Sequence, residues 1–273
     1  MFQKNNATLF LLGACLITWV MPLSAGLAQE EEDYKILNEI IQNEFKQEAP
    51  TEQGTDLNGV IKRFKTTDKK AAIVLEACLD EGADLDDALF DKLKEKQVPA
   101  ALFLDQGWLE KNSTNLKKMM VSGSLSIQSH GLFCRPLSVN GKGVPNHPGT
   151  AGVEEVFEEV EKNARDIEKF SGKLPRFFKA GYGFYDDVAL KIVTVLGYAA
   201  VEGDMRLRSK DVESEAALQL FFQKLQPGSI ISIPANRPGT ASVWLPKILN
   251  GLTQRGYQVV ALDDVINTDE DSH

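Results

Sequence analysis

From Lys69 onward, short apolar runs alternate with longer stretches whose apolar residues recur at three- and four-residue intervals. The short runs Ala71–Leu75, Ala100–Leu104, Leu125–Gln128, Arg176–Phe178, Ala199–Val201, Ser229–Ile233 and Gln258–Leu262 read as strands. The clearest helical stretch is Val153–Phe170, where Val153, Val156, Phe157, Val160, Ala164, Ile167 and Phe170 form one stripe. Seven strands with helices between them predict an α/β domain built on a parallel sheet, closed or nearly closed. Residues 29–68 differ. They are polar and acidic, with one amphipathic segment through Tyr34, Leu37, Ile40, Ile41 and Phe45 and a turn-rich stretch at Pro50–Gly54. They predict a short N-terminal helical arm and a linker outside the main domain, which covers 69–266 and ends in an acidic tail, 267–273.

A parallel α/β barrel builds its site at the C-terminal ends of its strands, from residues far apart in sequence. The positions to inspect are therefore Glu76–Cys78, Ser129–Cys134, Lys179–Gly183 and Pro234–Arg237.

Composition adds compartment and charge. Residues 1–28 hold one charged residue, Lys4, then an apolar run Leu9–Val20, the breaker Pro22 and the small residues Ser24, Ala25, Gly26 and Ala28. This is the pattern of a signal peptide cleaved after Ala28, and the apolar run is too short for the ~20 residues of a membrane span. Leu12–Cys15 resembles a lipoprotein processing site, but most of the apolar run would then follow the cysteine. The expected location is periplasmic or secreted, with no membrane span in the mature form. Cleavage would remove Lys4 and no acid, leaving 29 of the 30 basic residues against all 39 acidic ones, a net charge of −10. Such a surface repels nucleic acid. Export also leaves Cys78 and Cys134 where a disulfide persists.

The strand ends carry a family resemblance. Leu75-Glu76-Ala77-Cys78 stands where polysaccharide deacetylases have Phe-Asp-Asp-Gly, and Val98-Pro99-Ala100-Ala101-Leu102-Phe103 resembles their second strand. Ser129-His130 followed by Cys134 stands in place of Asn-His-x-x-x-His, and Phe178-Lys179-Ala180-Gly181-Tyr182-Gly183 in place of Phe-Arg-Pro-Pro-Tyr-Gly. In order and spacing the chain resembles the polysaccharide deacetylase family, the NodB-homology domains of carbohydrate esterase family 4. The resemblance implies a distorted (β/α)7 barrel. It also implies a metal-assisted deacetylase acting on the C–N bond of N-acetyl sugars, with an envelope glycan such as peptidoglycan or exopolysaccharide as partner.

The residues that would perform that reaction are largely replaced. By the resemblance, the metal aspartate position holds Ala77, the metal histidines are His130 and Cys134, and the base position holds Glu76. The residue orienting the base is Lys179, which cannot make the planar two-point contact of arginine. The acid position is Pro234, which cannot donate a proton. Loss of general-acid help alone costs ~10²- to 10⁴-fold in rate. The expectation is a catalytically impaired, glycan-binding member of the family, with the question of residual activity open.

Three readings of the strand-end cluster stay open. Cys78 and Cys134 form a disulfide, or with His130 and Glu76 they make a rewired zinc site, or the thiols stay free. No cofactor is expected unless the zinc site forms. If the residues converge, the two cysteine Cα atoms lie within ~10 Å, and a bridge needs less than ~7 Å. Glu76 is either a base or a pocket-lining acid paired with Lys179. Among the aromatic residues Trp108, Phe133, Tyr182, Phe184, Tyr185 and Trp244, Tyr182 is the expected sugar-stacking platform. His147 and His273 carry no partner signal. An interaction role for the acidic arm Glu30–Glu52 is a separate alternative.

Overall fold

The structure is a computed structural model that describes residues 23–82, 84–120 and 125–267, and the side chains of 29 onward within that span. The signal-peptide expectation for 1–28 therefore falls almost wholly outside the described residues, as does His273. The chain divides into two units, residues 1–40 and 41–273. The first contains most of helix α1, Leu23–Phe45, whose exposed flank carries the Lys35–Glu31 pair at 2.9 Å. Among the described residues no helix is long and apolar enough to cross a membrane.

Among the described residues, the second unit has nine further strands and eight further α-helices after a two-residue strand β1, Gln53–Gly54. They run β2 (Lys70–Ala77), α2 (Asp87–Glu95), β3 (Ala100–Leu104), α3 (Gln106–Met120), β4 (Leu125–Ser129), α4 (Val153–Ser171), β5 (Phe177–Phe178) and β6 (Tyr185–Asp186). There follow α5 (Asp187–Val195), β7 (Ala199–Ala200), β8 (Met205–Arg206), α6 (Ser209–Val212), α7 (Glu215–Phe222), β9 (Ile230–Pro234), α8 (Ala241–Gln254), β10 (Gln258–Val260) and α9 (Leu262–Val265). Eight of these strands form one parallel sheet in the order β7-β5-β4-β3-β2-β9-β8, with β10 on the first residues of β2. This is the distorted, incompletely closed (β/α)7 barrel that the strand pattern and the family resemblance predict.

β2 is central and covered on both sides, as its uninterrupted Ala71-Ala72-Ile73-Val74-Leu75 run requires. Because side chains alternate along a strand, Ala71, Ile73, Leu75 and Ala77 pack outward against the helices. Ala72 and Val74 face inward onto Phe103, Phe177, Val201 and Ile230. The same alternation turns Glu76, the next inward position, into the mouth of the barrel above an apolar floor. Ala77, at the family's metal-aspartate position, belongs to the outer layer.

The helix α4 begins at the predicted Val153 and ends one residue beyond the predicted Phe170. Its stripe is buried, and two polar residues beside the stripe shape the site. Asn163 donates to the Leu104 carbonyl at 2.9 Å and to Ser129 Oγ at 3.0 Å, while Glu159 accepts from the Phe133 and Arg135 amides.

Two parts of the fold differ from the sequence reading. The sheet has an additional strand, β8, which lies beside β9 and is too short for any periodicity to reveal. The stretch expected as a linker also enters the domain. Gln53 and Gly54 pair with Asp186 and Tyr185, Thr51 is bound by the Asp187 carboxylate, and Ile61 pairs with Val201 while Arg63 pairs with Ser229. Ile61–Phe64 thus bridges β7 and the start of β9, on the side where β8 does not reach. Unpaired backbone groups at an open sheet edge are costly when covered, and this strap satisfies them. The Ile61 amide donates to the Ala200 carbonyl at 2.8 Å, and the Phe64 amide to the Gly228 carbonyl at 3.0 Å.

The strap makes one glycine obligatory. Gly228 has φ +81°, and a Cβ there would overlap the Phe64 carbonyl oxygen, whereas Gly197, at φ +89°, has open space around it. Gly197→Ala is expected to lower stability by about 1–2 kcal/mol, the backbone strain alone. Gly228→Ala is expected to cost measurably more, because the strap must also move. Urea unfolding of the two variants checks this; equal losses would mean that the strap adds nothing to the barrel.

Candidate functional site

Four strand ends and one long loop converge on a cavity of about 210 Å³. Its innermost feature is an ion cluster. Glu76 reaches Lys179 Nζ at 3.0 Å through Oε1 and Arg206 at 3.1 Å through Oε2, and accepts a hydrogen bond from Ser232 Oγ. Lys179 also contacts the Glu202 carboxylate at 2.8 Å and donates to the Glu202 carbonyl at 2.7 Å. Burial alone would raise the Glu76 carboxyl, but the Lys179 ammonium and Arg206 guanidinium outweigh it and hold it at about 2. Burial pushes Lys179 down, and Glu76 and Glu202 more than reverse this, so it stays charged. Of the two sequence readings for Glu76, the geometry matches the acid paired with Lys179.

His130 lines the same cavity and is only 4% exposed. Its backbone amide donates to the Leu104 carbonyl, but its Nδ1 has no partner. Burial lowers its pKa, Glu76 raises it, and Lys179 and Arg206 lower it again, so that the imidazole titrates at about 4 and is neutral at physiological pH.

Cys78 and Cys134 are joined in a disulfide with their Cα atoms 6.1 Å apart, inside the range the sequence reading required for a bridge. It ties the end of β2 to the loop after β4 across a sequence separation of 56. By the chain-entropy estimate such a link contributes about 4 kcal/mol. Cys134 sits at φ +52°, and Gly181 lies so close to the Cys134 carbonyl that any Cβ would overlap it. This disulfide corrects the expectation that Cys78, His130 and Cys134 are metal ligands. The three ligand atoms do lie within 4.8 Å of one another, but bonded sulfurs are not thiolates, and the set is reduced to one imidazole. Glu76, the fourth candidate, is already neutralised by two cations that would repel an ion. The residues present therefore do not fit a resident metal.

The rim of the cavity is aromatic. Tyr182 is 37% exposed and adopts φ +59°, a conformation that costs a non-glycine residue of order 1–3 kcal/mol. Its hydroxyl lies 2.8 Å from His147 Nδ1 and its ring centroid 4.3 Å from that of His147. His147 thus has a partner that the sequence did not signal. Phe133 also lines the cavity and is 58% exposed. Trp108 and Tyr185 are fully buried, Phe184 is nearly so, and Trp244 packs partly against the core. The sequence reading weighed Phe133 with the other aromatic residues and selected Tyr182 alone. It missed Arg206, which lies in the unrecognised β8, and Glu202, which follows the predicted strand Ala199–Val201. Pro234 ends β9 in register with Glu76 and offers no proton.

Residues 65–201 match the polysaccharide deacetylase family. A search among curated proteins finds an uncharacterized protein of Streptomyces coelicolor, 22% identical over 217 residues, which span 79% of this chain and 80% of that one. Among solved structures, a family 4 carbohydrate esterase from Bacillus anthracis is 21% identical, over 77% of this chain and 88% of its own, with a TM-score of 0.59. A CE4 family pseudoenzyme from Bacillus anthracis is 20% identical over 78% of this chain and 71% of its own, with a TM-score of 0.63.

The burial of a neutral His130 sets an acid limit. Its folded pKa of about 4 lies below the 6.5 of the free side chain, so its stabilisation is complete above pH 6.5 and is lost as pH falls toward 4. Glu76 adds a further loss between its free value of 4.5 and about 2. The protein is expected to lose about 3 kcal/mol more than His130→Gln between pH 7 and 4, measured by urea unfolding at both values. Parallel pH profiles for the two would contradict a buried neutral imidazole.

Proposed function

The chain belongs to the polysaccharide deacetylase family, and on that footing we propose that it is an exported envelope protein that binds glycan without deacetylating it. The observation that carries this reading is the pairing of a neutralised Glu76 with an open, aromatic-rimmed cavity. A general base works best with a pKa near the operating pH. Glu76 is held at about 2 by two cations, so it gains little by taking a proton from water. Pro234 stands where a leaving amine would need a donor, and Ala77 contributes no ligand. Binding needs none of these groups. A pyranose presents an apolar face to a ring, and Tyr182 and Phe133 line the cavity with exposed rings. The pseudoenzyme among the structural neighbours makes loss of catalysis on this fold a realised outcome. The N-terminal apolar segment and the disulfide both suit an exported protein.

Calorimetry with soluble peptidoglycan fragments and chitin oligomers is expected to show binding. Tyr182→Ala and Phe133→Ala are each expected to weaken it at least tenfold with unchanged circular dichroism; no heat with any envelope glycan would overturn the reading.

The competing reading is a metal-dependent hydrolase with a rewired Glu76, Cys78, His130 and Cys134 site, and it requires both thiols reduced. Protein purified without chelator is expected to carry less than a tenth of an equivalent of zinc, iron or cobalt by elemental analysis. A full equivalent would favour the hydrolase.

A further inference from the structure

We propose that Cys78, His130 and Cys134 become a site for one soft monovalent cation, copper(I), when the disulfide between the two cysteines is reduced. This stands apart from glycan binding and concerns a second state of the chain, in which the sulfurs are no longer bonded to each other.

Breaking a disulfide scatters its sulfurs only where the bond itself holds them together. Here the backbone at each of the three residues is fixed by other contacts. The Phe133 and Arg135 amides both donate to Glu159 Oε1, at 3.0 and 3.1 Å, with Cys134 between them at φ +52°. Successive amides that close on one anion in this way form a nest, and the centre of this one is Glu159, not the disulfide. The Cys78 carbonyl accepts from Asn236 Nδ2 at 3.2 Å, and the next amide, of Leu79, donates to Asp105 Oδ2 at 2.8 Å. The His130 amide donates to the Leu104 carbonyl at 2.9 Å, and the next amide, of Gly131, to Ser129 Oγ at 3.2 Å. Reduction therefore leaves two thiols and an imidazole facing one another.

The distances suit coordination. The two sulfurs and one ring nitrogen of His130 lie within 4.8 Å of one another, and ligands about 2.0–2.3 Å from one ion are roughly 3.5–4 Å apart. His130 is buried, and its Nδ1 has no hydrogen-bond partner to give up. All three residues line the cavity, which gives an ion its way in. A thiolate-rich set selects soft ions such as copper(I) and zinc, and ligand count and charge favour the first. Structural zinc takes four ligands, whereas Glu76, the candidate for the fourth, is held by Lys179 and Arg206. Two thiolates on a monovalent ion keep one net negative charge, which the same two cations offset. A dithiol reductant supplies two electrons and two protons to the disulfide and leaves as its own disulfide. The two thiols then release their protons as copper(I) binds.

The test uses the full chain with Cys15→Ser, so that the two cavity cysteines are the only ones present. The protein is reduced with a phosphine under nitrogen, freed of it by gel filtration and given copper(I) in competition with bicinchoninate. Unreduced protein is expected to leave the copper with the chelator, and reduced protein to take one equivalent. X-ray absorption should find two sulfurs and one nitrogen around the copper. His130→Gln, which keeps both thiols, should bind at least about tenfold more weakly and lose the nitrogen, while Cys134→Ser should leave the copper with the chelator. Far-UV circular dichroism follows the fold of each protein. Copper left with the chelator by reduced, folded protein would overturn the inference. So would His130→Gln binding as tightly as its parent, because two thiols alone would then suffice, or an equivalent of zinc that excess copper(I) does not displace. Loss of the circular dichroism spectrum on reduction would overturn it as well, since the site depends on the other contacts holding the mouth in place.

Discussion

The structure turns on how a carboxylate is kept ionised inside the barrel mouth. Glu76 is buried, and a lone charge there would carry a penalty of several kcal/mol. Lys179, Arg206 and the Ser232 hydroxyl remove that penalty together. With Glu76 itself they come from four different strands or strand ends, so the ion cluster also fixes how those strands meet. Lys179 cannot be dropped without stranding Glu76 and Glu202, and Glu76 cannot be dropped without stranding Lys179 and Arg206. Removing one partner of such a buried pair typically costs 3–5 kcal/mol, roughly as much as the nearby disulfide contributes. An arrangement whose charges close on one another holds the strand ends together through mutual neutralisation.

The cluster also accounts for the character of the cavity. With Glu76, Lys179 and Arg206 paired below, the exposed groups that line the cavity include the Tyr182 and Phe133 rings and the Asp80 and Glu81 carboxylates. The disulfide from Cys78 to Cys134 sits beside them and holds the turn bearing Asp80 and Glu81 against the loop bearing Phe133. The mouth is therefore set by a covalent link and an ion cluster.

Much of this was legible in the sequence, and the omissions have physical causes. Each of the seven apolar runs is a strand because a parallel sheet covered on both faces needs continuous apolar segments. Glu76, His130, Lys179 and Cys134 were identified because strand ends are where a barrel collects its site. Arg206 was missed because it lies in β8, a two-residue strand with no periodicity of its own, whereas Glu202 follows the predicted strand Ala199–Val201, whose end was not among the positions inspected. The role of Ile61–Phe64 was hidden because its partners, Val201 and Ser229, are remote in sequence and its own composition reads as a linker. The choice among disulfide, metal and free thiols could not be made from spacing, since His130 and Cys134 at i and i+4 suit all three. It needed the position of Cys78 in space.

The strap at Ile61–Phe64 bears on the order in which the molecule can assemble. Its partners lie near the far end of the chain, and the adjoining Thr51–Asp187 contact spans 136 residues. Such contacts repay their loop-closure entropy only after the intervening segments have been positioned. A strap synthesised early is therefore among the last pieces to settle, and the barrel edge between β7 and β9 stays uncovered until it does. During that interval the acidic stretch before Lys69 is unpaired and solvated, and its like charges keep neighbouring chains apart. The segment that seals the open edge of the barrel is thus made first and secured late, once Val201 and Gly228 have been positioned.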